Sequence, residues 1–517
     1  MYLFKYILRV DLLIGDIGGT RRTRELADKL LSNHDVHITE FHGRRSAWDF
    51  LRGKTERAAF DRFIRKFLRS LKNRHILQRA DYIQKELESA GYEKHTIGSL
   101  QETFGGVQRK SRIGQRYYVR FQDTMVVAVQ FGKRPITEGM HMAAAHIDSP
   151  AVVSRIKVPK QAFNIAYALC TSYGGIEPKD VFNKQLSMYF HGIVKDKKGK
   201  RKRLEFSLGN ENGDPCFVIA EGSLHLNESN NPEPCDLEAI IGSKPHPDKT
   251  FDPRKRIILA VMRELNKKYD LTEYDLEDGE LWFFPAEQAR EVGVDKSAIS
   301  SYGMDNWACA FPLLHGFLSA KQPEYTKVAV FYDNEENCDT GRGSWDTSFF
   351  DLLLLPALAY QRKKGTGHHY ESLEKSWSLF ADVSEPINSY SPSTQDPLNN
   401  SYFGSGVAIC PSSGDSGRGG YIVNPAFISA MKTIFNENKV CHQTGIMGRY
   451  DEKTAGASDT FHSYVWGGGI DIGVPVLGLH RFTSEVCSKI DVWHTAKAIH
   501  AFFSVKDHSK YLLRREV

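Results

Sequence analysis

The chain has 517 residues, of which 41% are hydrophobic and 25% are charged, and its formal net charge at pH 7 is +5. This length is enough to bury at least one large core and predicts about two domains. So small a net charge does not indicate nucleic-acid binding, and no run of about 18 apolar residues predicts a transmembrane helix.

Eight cysteines are spread along the chain without a CxxC pair or a regular spacing. That pattern predicts neither a zinc finger nor a disulfide framework, and it favours a reducing compartment. The apolar N-terminus is interrupted by Lys5, Arg9 and Asp11 and has no small-residue cleavage site, so it does not fit a signal peptide. We therefore predict a cytoplasmic protein without a membrane partner.

A short glycine string near the N-terminus, Asp16-Ile-Gly-Gly-Thr20, is similar to the phosphate loop of sugar kinases of the actin-like fold. In such a loop, glycines let the backbone approach a nucleotide phosphate. The segment that follows is basic and helical rather than a β-hairpin, and the partner elements of a kinase are not evident. A sugar kinase is therefore an alternative to the function predicted below.

Helical and strand patterns then follow one another along the chain. Apolar residues recur at spacings of three and four over 60–71, which predicts a helix, and 80–89 continues the helical pattern. Segments 117–121 and 125–131 predict paired strands. Between 151 and 288, alternating segments separated by turn-rich pieces predict a β-rich inserted module. Beyond it we predict helices at 306–320, 345–363, 425–437 and 491–505, and strands at 327–332, 377–383 and 473–479.

Strands that alternate with helices are typical of a mostly parallel sheet that helices cover on both faces. The predicted fold class is therefore α/β, with a sandwiched sheet and an inserted β-rich lid or oligomerisation domain. We predict that 1–150 form the first part of the catalytic domain, with 1–50 as an extension without an assigned role. The insert spans 151–288, and 289–517 complete the catalytic domain.

Several of the predicted strands and loops end in histidine, aspartate or glutamate. The carboxyl ends of strands form the crevice where open α/β sheets bind ligands, so these side chains can converge there. Each alone has a simpler interpretation as a hydrogen-bonded loop residue. Together, two histidines and several carboxylates suit two divalent cations, with zinc favoured because imidazole and carboxylate both suit it. The candidates are His146, Asp148, Asp305, Glu335, Glu336, Asp382 and His480.

Four motifs carry a family resemblance. In their order and approximate spacing they resemble those of the aspartyl aminopeptidase and vacuolar aminopeptidase I family of di-zinc metallopeptidases. The resemblance implies a metallo-aminopeptidase-like fold and the removal of N-terminal residues from peptides, with two divalent ions, zinc first and cobalt or manganese as alternatives. The motifs are His146-Ile-Asp-Ser-Pro150, Gly303-Met-Asp-Asn306, Asp333-Asn-Glu-Glu336 and Asp471-Ile-Gly-Val-Pro-Val-Leu-Gly-Leu-His480.

The resemblance also implies a role for each candidate residue. Glu335 would be the general base that takes a proton from the water between the metals, and Asp148 would hold the His146 imidazole. Of two adjacent glutamates only one need face a metal, which leaves the other near the water. The implied metal ligands are Asp305 as the bridge, His146 and Asp382 for one metal, and Glu336 and His480 for the other.

The residues around the substrate match the family less closely. The family supplies a histidine from a neighbouring subunit, for which His225 is the candidate, and Arg449 is a candidate cation for an acidic substrate side chain. The family's Gly-Thr-rich substrate loop is replaced by 453–460, so its side-chain preference does not transfer. The resemblance implies a large homo-oligomer, such as a dodecamer. A catalytically inactive peptidase-like scaffold that binds peptides is the second alternative.

Overall fold

The structure is a computed structural model and describes residues 46–96, 98–99, 113–195, 199–211, 213–223, 225, 237–337, 343–344, 367–390, 392–413, 421–446, 448 and 467–512. The glycine string at 16–20, the predicted helix 345–363, Arg449 and the loop 453–460 lie outside these residues. No helix within the described ranges is long and apolar enough to cross a membrane.

The described chain begins with a short 3-10 helix, Ala47–Phe50, and two α-helices, and then consists mainly of strands as far as residue 285. Both α-helices are amphipathic, and the second begins at a cap in which Nδ1 of His75 accepts a hydrogen bond from the Leu77 amide. The elements of this half are α1 (Gly53–Ser70), α2 (Ile76–Ser89), α3 (Arg256–Tyr269), α4 (Glu273–Glu277), β1 (Glu93–His95), β2 (Arg116–Phe121), β3 (Met125–Gln130), β4 (Met140–His146), β5 (Ala151–Ala162), β6 (Ile165–Tyr173), β7 (Leu186–Lys195), β8 (Arg201–Leu208), β9 (Val218–Ile219), β10 (Leu237–Gly242) and β11 (Gly279–Pro285).

The second half returns to an alternation of strands and helices. Its elements are α5 (Met304–Ser319), α6 (Gly367–Lys375), α7 (Pro425–Glu437), α8 (Lys489–Phe503), β12 (Arg290–Val292), β13 (Ala298–Ser301), β14 (Thr326–Tyr332), β15 (Trp377–Ala381), β16 (Val407–Cys410), β17 (Ser412–Ser413), β18 (Tyr421–Ile422), β19 (His442–Thr444), β20 (Gly469–Gly473), β21 (Val476–Leu477) and β22 (Glu485–Ser488).

A mixed sheet of nine described strands has the order β1-β2-β3-β14-β4-β15-β20-β16-β19. Its central neighbours β14, β4, β15 and β20 run parallel, whereas β2–β3, β3–β14 and β16–β20 are antiparallel pairs. Every residue of β4 and β14 is buried, as expected for strands covered on both faces. The predicted α/β class is therefore confirmed, with antiparallel pairs on both sides of the parallel centre.

Side chains of β4 alternate between two hydrophobic clusters, as the pleat of a strand requires. Ala143 and Ala145 belong to the larger cluster, which also contains buried residues of α1, α2, α5, α7 and α8. Met142 and Ala144 belong to the cluster on the opposite face, which contains Leu373 of α6. The small alanine side chains leave room for helices to pack closely on both faces of this central strand, whose last residue is His146.

A second sheet is built from strands that all lie between Ala151 and Pro285. Its order is β8-β7-β11-β5-β6-β10-β9, and each described pair is antiparallel. It has a hydrophobic cluster of its own, which includes Phe190 and Phe283 and residues next to α3 and α4. The division of the chain at 150 and 288 stays a prediction about domains.

The predicted single strand 473–479 is wrong, because part of it belongs to a third sheet. This sheet has four described strands in the order β12-β13-β22-β21. The structure divides that segment into β20, which ends at Gly473 in the large sheet, and β21, which belongs to the third sheet. Pro475 lies between them and forms an isolated parallel bridge with Ser384, outside the strands of either sheet. The chain therefore leaves the large sheet before it reaches His480.

Candidate metal centre

Three neighbouring strands bring candidate residues to one edge of the large sheet. His146 is the last residue of β4 and lies opposite Tyr332, the last residue of β14. Glu335 and Glu336 lie in a short 3-10 helix just after β14, and Asp382 directly follows β15. Because β14, β4 and β15 are parallel, their carboxyl ends meet at the same edge, where open α/β sheets bind ligands.

Two further candidates reach this edge from other elements. Asp305 is the second residue of α5, but its backbone is not helical there, with φ −76° and ψ 109°. His480 lies in the turn between β21 and β22 with φ +57°, a left-handed conformation that non-glycine residues adopt rarely. The backbone amides of Asp305 and His480 both donate to the Glu485 carboxylate, at 3.2 and 3.1 Å. One buried carboxyl group therefore holds both residues.

The side chains form two groups that share Asp305. Nε2 of His146 lies 3.3 Å from Oδ1 of Asp305 and 3.4 Å from Oδ1 of Asp382. Nε2 of His480 lies 3.4 Å from the other Asp305 oxygen, Oδ2, and 3.5 Å from Oε2 of Glu336. In each group one potential ligand atom per residue lies within 4.8 Å of the others. Asp305 thus presents one oxygen to each group.

These separations match what zinc requires. Zinc bonds of about 2.0–2.2 Å at a tetrahedral angle place neighbouring ligand atoms about 3.3–3.6 Å apart. The four distances from the two histidines span 3.3 to 3.5 Å. In addition, Oδ1 of Asp305 and Oε1 of Glu336 are buried without a hydrogen-bond partner. Buried carboxylate oxygens without a donor are costly unless a cation compensates them, so the residues present fit two zinc ions.

Glu335 lies slightly farther from the histidine than the two aspartates do. Its Oε2 is 3.8 Å from Nε2 of His146, compared with 3.3 Å for Asp305 and 3.4 Å for Asp382. His146, Glu335 and Glu336 also present potential ligand atoms within 4.8 Å of one another. The longer separation favours Glu335 as a neighbour of the metal site over a ligand in it.

The opposite nitrogen of the His146 ring faces Asp148. Nδ1 of His146 lies 3.3 Å from Oδ1 of Asp148, while Oδ2 of Asp148 accepts hydrogen bonds from the Tyr173 hydroxyl at 2.7 Å and the Glu336 amide at 3.2 Å. A carboxylate behind a metal-binding histidine fixes its tautomer and ring orientation. With Nδ1 protonated toward Asp148, Nε2 is the nitrogen that faces Asp305 and would bind a metal.

Burial is the largest influence on the pKa values of the acidic groups at this centre, and neighbouring charges modify it. Burial raises the pKa of Glu335 to about 8, with Asp382 and Asp305 adding to the effect and His146 opposing it. Burial likewise raises the pKa of Glu336 and of Asp382 above the usual range. Burial opposes ionisation of Asp305, but His146 and His480 hold its pKa below the usual range. Asp305 is thus the most readily ionised carboxyl group of the centre.

Charge balance also fits two divalent ions. Asp305, Glu335, Glu336 and Asp382, when ionised, carry as many negative charges as two divalent cations carry positive ones. Without cations, bound protons must compensate this negative charge. Accordingly, the hydrogen bond with Asp305 raises the pKa of His480 to about 9. Binding of metal would therefore release protons from this centre.

The structure reveals two residues of the centre that sequence reasoning did not identify. Glu485 is 3% exposed, and burial together with Asp305 raises its pKa to about 8. Arg79 of α2 is 1% exposed and donates to backbone oxygens of Ile147 and Gly303. A signal for Arg79 existed, because it lies four residues before Ile83 on the apolar face of the helix. Glu485 has no comparable signal, since a glutamate at the start of a short strand is ordinary.

Neither of the two substrate-binding candidates is found at the metal centre among the described residues. His225 is exposed in a turn, where its backbone amide donates to the Ser223 hydroxyl. An exposed histidine is available to a second subunit, so its predicted role across an interface stays a prediction. Arg449 lies outside the described residues, and its role also stays a prediction.

Known proteins share both the sequence and the fold of this chain. It is 26% identical over 472 residues to a protein of Clostridium acetobutylicum named "Probable M18 family aminopeptidase 1", covering 89% of this chain and 98% of that protein. The crystal structure of an M18 family aminopeptidase from Thermotoga maritima superposes with a TM-score of 0.80 at 26% identity, covering 89% of this chain and 99% of that one.

More distant structures show the same fold. The S. cerevisiae mApe1 dodecamer superposes with a TM-score of 0.67 at 15% identity, covering 87% of this chain and 97% of that one. The family model described as "Aminopeptidase I zinc metalloprotease (M18)" matches residues 63–503, which include every residue of the candidate metal centre. The chain belongs to the aminopeptidase I (M18) family of zinc metalloproteases.

Proposed function

We propose that this chain is a two-zinc aminopeptidase in which Asp305 bridges the metals. His146 and Asp382 would hold one ion, and Glu336 and His480 the other. The observation that carries the proposal is that the two oxygens of Asp305 face different histidines at 3.3 and 3.4 Å. A carboxylate that only accepts hydrogen bonds from one loop would not need to divide its oxygens in this way.

The zinc ions would supply two things when bound: a lowered pKa for a nearby water and polarisation of the scissile carbonyl. Glu335 is the group that accepts the proton. It is half-buried, adjoins the ligand groups, and lies farther from His146 than the aspartates. Its carboxylate can take a proton from that water because it is held beside the ligand groups and need not bind a metal itself. The same group can then return that proton to the leaving amine.

Other residues of the chain orient the proposed metal ligands. Asp148 and the Tyr173 hydroxyl fix the His146 ring from behind, and Glu485 fixes the backbone of Asp305 and His480. For an exopeptidase, the free amine of a peptide N-terminus is a cation that the surrounding carboxylates attract. This attraction supports cleavage of the N-terminal residue. His225 from a neighbouring subunit and Arg449 are the proposed contacts to the substrate.

The proposal includes a large homo-oligomer in the cytoplasm. The family resemblance implies the oligomer, and the yeast neighbour of similar fold is a dodecamer. The absence of any regular cysteine spacing supports a reducing compartment. Light scattering tests the assembly: we expect a mass about twelve times the 58.6 kDa of one chain.

The central experiment is metal depletion and restoration. After exhaustive chelation we expect hydrolysis of aminoacyl fluorogenic substrates to stop, and zinc or cobalt to restore it. A chelated protein that retains full activity would contradict metal catalysis. Metal-replete protein that binds peptides without cleaving them would support the inactive scaffold instead.

A panel of acidic, neutral and apolar N-terminal residues would identify the substrate preference. Hexose-dependent ATP consumption tests the alternative of a sugar kinase. That alternative depends on residues 16–20, which precede the family match at 63–503. We expect no such consumption.

A further inference from the structure

One buried guanidinium connects the two chain segments that supply ligands to both proposed metal sites. Nη1 of Arg79 donates to the backbone oxygens of Ile147 at 2.9 Å and Asp148 at 3.3 Å, directly after His146. Nη2 donates at 3.1 Å to the backbone oxygen of Gly303, two residues before Asp305. Among the described residues, no other side chain of α2 forms hydrogen bonds with both of these segments.

The Ser149 hydroxyl extends this connection to the bridging residue itself. It accepts a hydrogen bond from Nη1 of Arg79 at 2.7 Å and donates to the backbone oxygen of Asp305. The remaining guanidinium nitrogen, Nε, donates to the Asn73 backbone oxygen at 3.2 Å and ties the group to the start of α2. The guanidinium therefore has partners on three of its nitrogens.

The local structure is built around this side chain. A Cβ atom on Gly303 would lie 2.2 Å from Nη2 of Arg79, so a larger residue there would displace the guanidinium. The group also lies 5.4 Å from the ring of Trp307, within range of a cation–π interaction. Burying an arginine is costly unless its donors and charge are compensated, and here backbone oxygens and nearby carboxylates provide both.

We propose that Arg79 is a positioning residue: its guanidinium sets the separation between the segment of His146 and the segment of Asp305, and thereby the affinity for zinc. Arginine suits this task because its planar, rigid fork points donors in several fixed directions, whereas a lysine ammonium is a single point. Arg79 touches neither substrate nor metal in this arrangement. The inference rests on the proposed two-zinc function and adds a determinant of metal affinity from α2.

The test compares two variants with one control. Arg79→Lys keeps the charge and loses the fork, and Ser149→Ala removes only the hydroxyl link to Asp305. The control is Arg74→Lys, because Arg74 is also buried, at 6% exposed, and also donates to backbone oxygens, but to Ala286 and Glu287 away from the ligand segments. Each protein is stripped of metal and titrated with zinc in a metal buffer. The readouts are bound zinc per chain, the rise in melting temperature on adding zinc, and kcat.

We expect zinc affinity to fall about 10- to 100-fold in Arg79→Lys, the range typical for residues that orient metal ligands. The rise in melting temperature on adding zinc should shrink, and saturating zinc should restore much of kcat. Ser149→Ala should shift zinc affinity in the same direction by a smaller factor. Arg74→Lys should lower the melting temperature of the metal-free protein and leave zinc affinity unchanged.

The outcomes separate this inference from the proposed function. Unchanged zinc affinity in both Arg79→Lys and Ser149→Ala, in proteins that fold and bind zinc, would overturn the inference alone. An equal loss of affinity in Arg74→Lys would also overturn it, since general destabilisation would then explain the effect. If Arg79→Lys does not fold, Ser149→Ala decides. A wild-type protein that binds no zinc would overturn both proposals.

Discussion

Replacement of Glu335 by glutamine is the sharpest test of the mechanism. The amide has nearly the same shape as the carboxylate but cannot take a proton from water. Glu335 lies 3.8 Å from His146, outside the 3.3–3.5 Å spacing of the proposed ligands. We therefore expect the variant to keep both metals and to lose turnover.

The expected size of the loss follows from the role of the residue. A positioned general base contributes about 10²- to 10⁴-fold in rate, which corresponds to about 2.7–5.4 kcal/mol in the activation free energy. The loss should appear in kcat with little change in KM, because the proton is transferred only on the way to the transition state. The adjacent Glu336 provides a matched control. Glu336→Gln makes the same chemical change in a proposed ligand and should reduce bound zinc.

The assay combines elemental analysis with steady-state kinetics on an aminoacyl fluorogenic substrate. Two results would refute the assignment. Turnover of Glu335→Gln within a few-fold of wild type would show that another group takes the proton. Loss of a zinc ion in Glu335→Gln, with retention of both in Glu336→Gln, would exchange the roles of the two glutamates.

Three further predictions address the other parts of the molecule. His480→Ala should lower bound zinc toward one ion per chain, which elemental analysis measures directly. Glu485→Gln should weaken zinc binding and cost about 1–3 kcal/mol of stability, because an amide nitrogen cannot accept the hydrogen bond of Asp305 or His480; urea unfolding of metal-free protein tests this. Burial, with the nearby Lys497, lowers the pKa of His494 to about 3, and Nδ1 of His494 accepts a hydrogen bond from the Cys441 amide. Below about pH 6.5, His494 therefore binds a proton in the unfolded chain but not in the folded one. The free energy of unfolding consequently falls as the pH drops. His494→Asn should flatten that fall by up to about 1.4 kcal/mol per pH unit, as measured by urea unfolding between about pH 7 and pH 5, and an unchanged slope would contradict the assignment.

Much of the fold was open to prediction because its signals are local. The apolar stripe over 60–71 predicts a helix, and Phe60, Ile64 and Phe67 are indeed buried on α1. The alternation of strands and helices predicts the α/β class, since periodicity follows directly from backbone geometry. The family match confirms the predicted metallopeptidase family and its zinc. The predicted strand 473–479 was wrong, because periodicity does not show where a chain passes from one sheet to another.

The sequence predicts which residues form the candidate site but not how their side chains are arranged. Motif order along the chain, read through the family resemblance, indicates that His146, Asp305, Glu336 and His480 belong together. The rule that parallel strands end at one edge applies to His146 and Glu336, whereas Asp305 and His480 reach the edge from a helix and a turn. Tertiary structure alone decides that the oxygens of Asp305 face different histidines, and that Glu335 lies farther from His146 than the aspartates. These facts depend on backbone conformation and side-chain direction over contacts that are distant in sequence.

The buried residues that hold the site in place show the same difference between what the sequence predicts and what the tertiary structure decides. The sequence by itself determined the chemistry available, because side-chain identity sets which atoms can bind a metal or take a proton. It could not show that Arg79 reaches the two segments that carry proposed ligands, or that Glu485 holds the amides of Asp305 and His480. Such roles arise from the distance and direction between groups up to 224 positions apart, which only the packed tertiary structure decides.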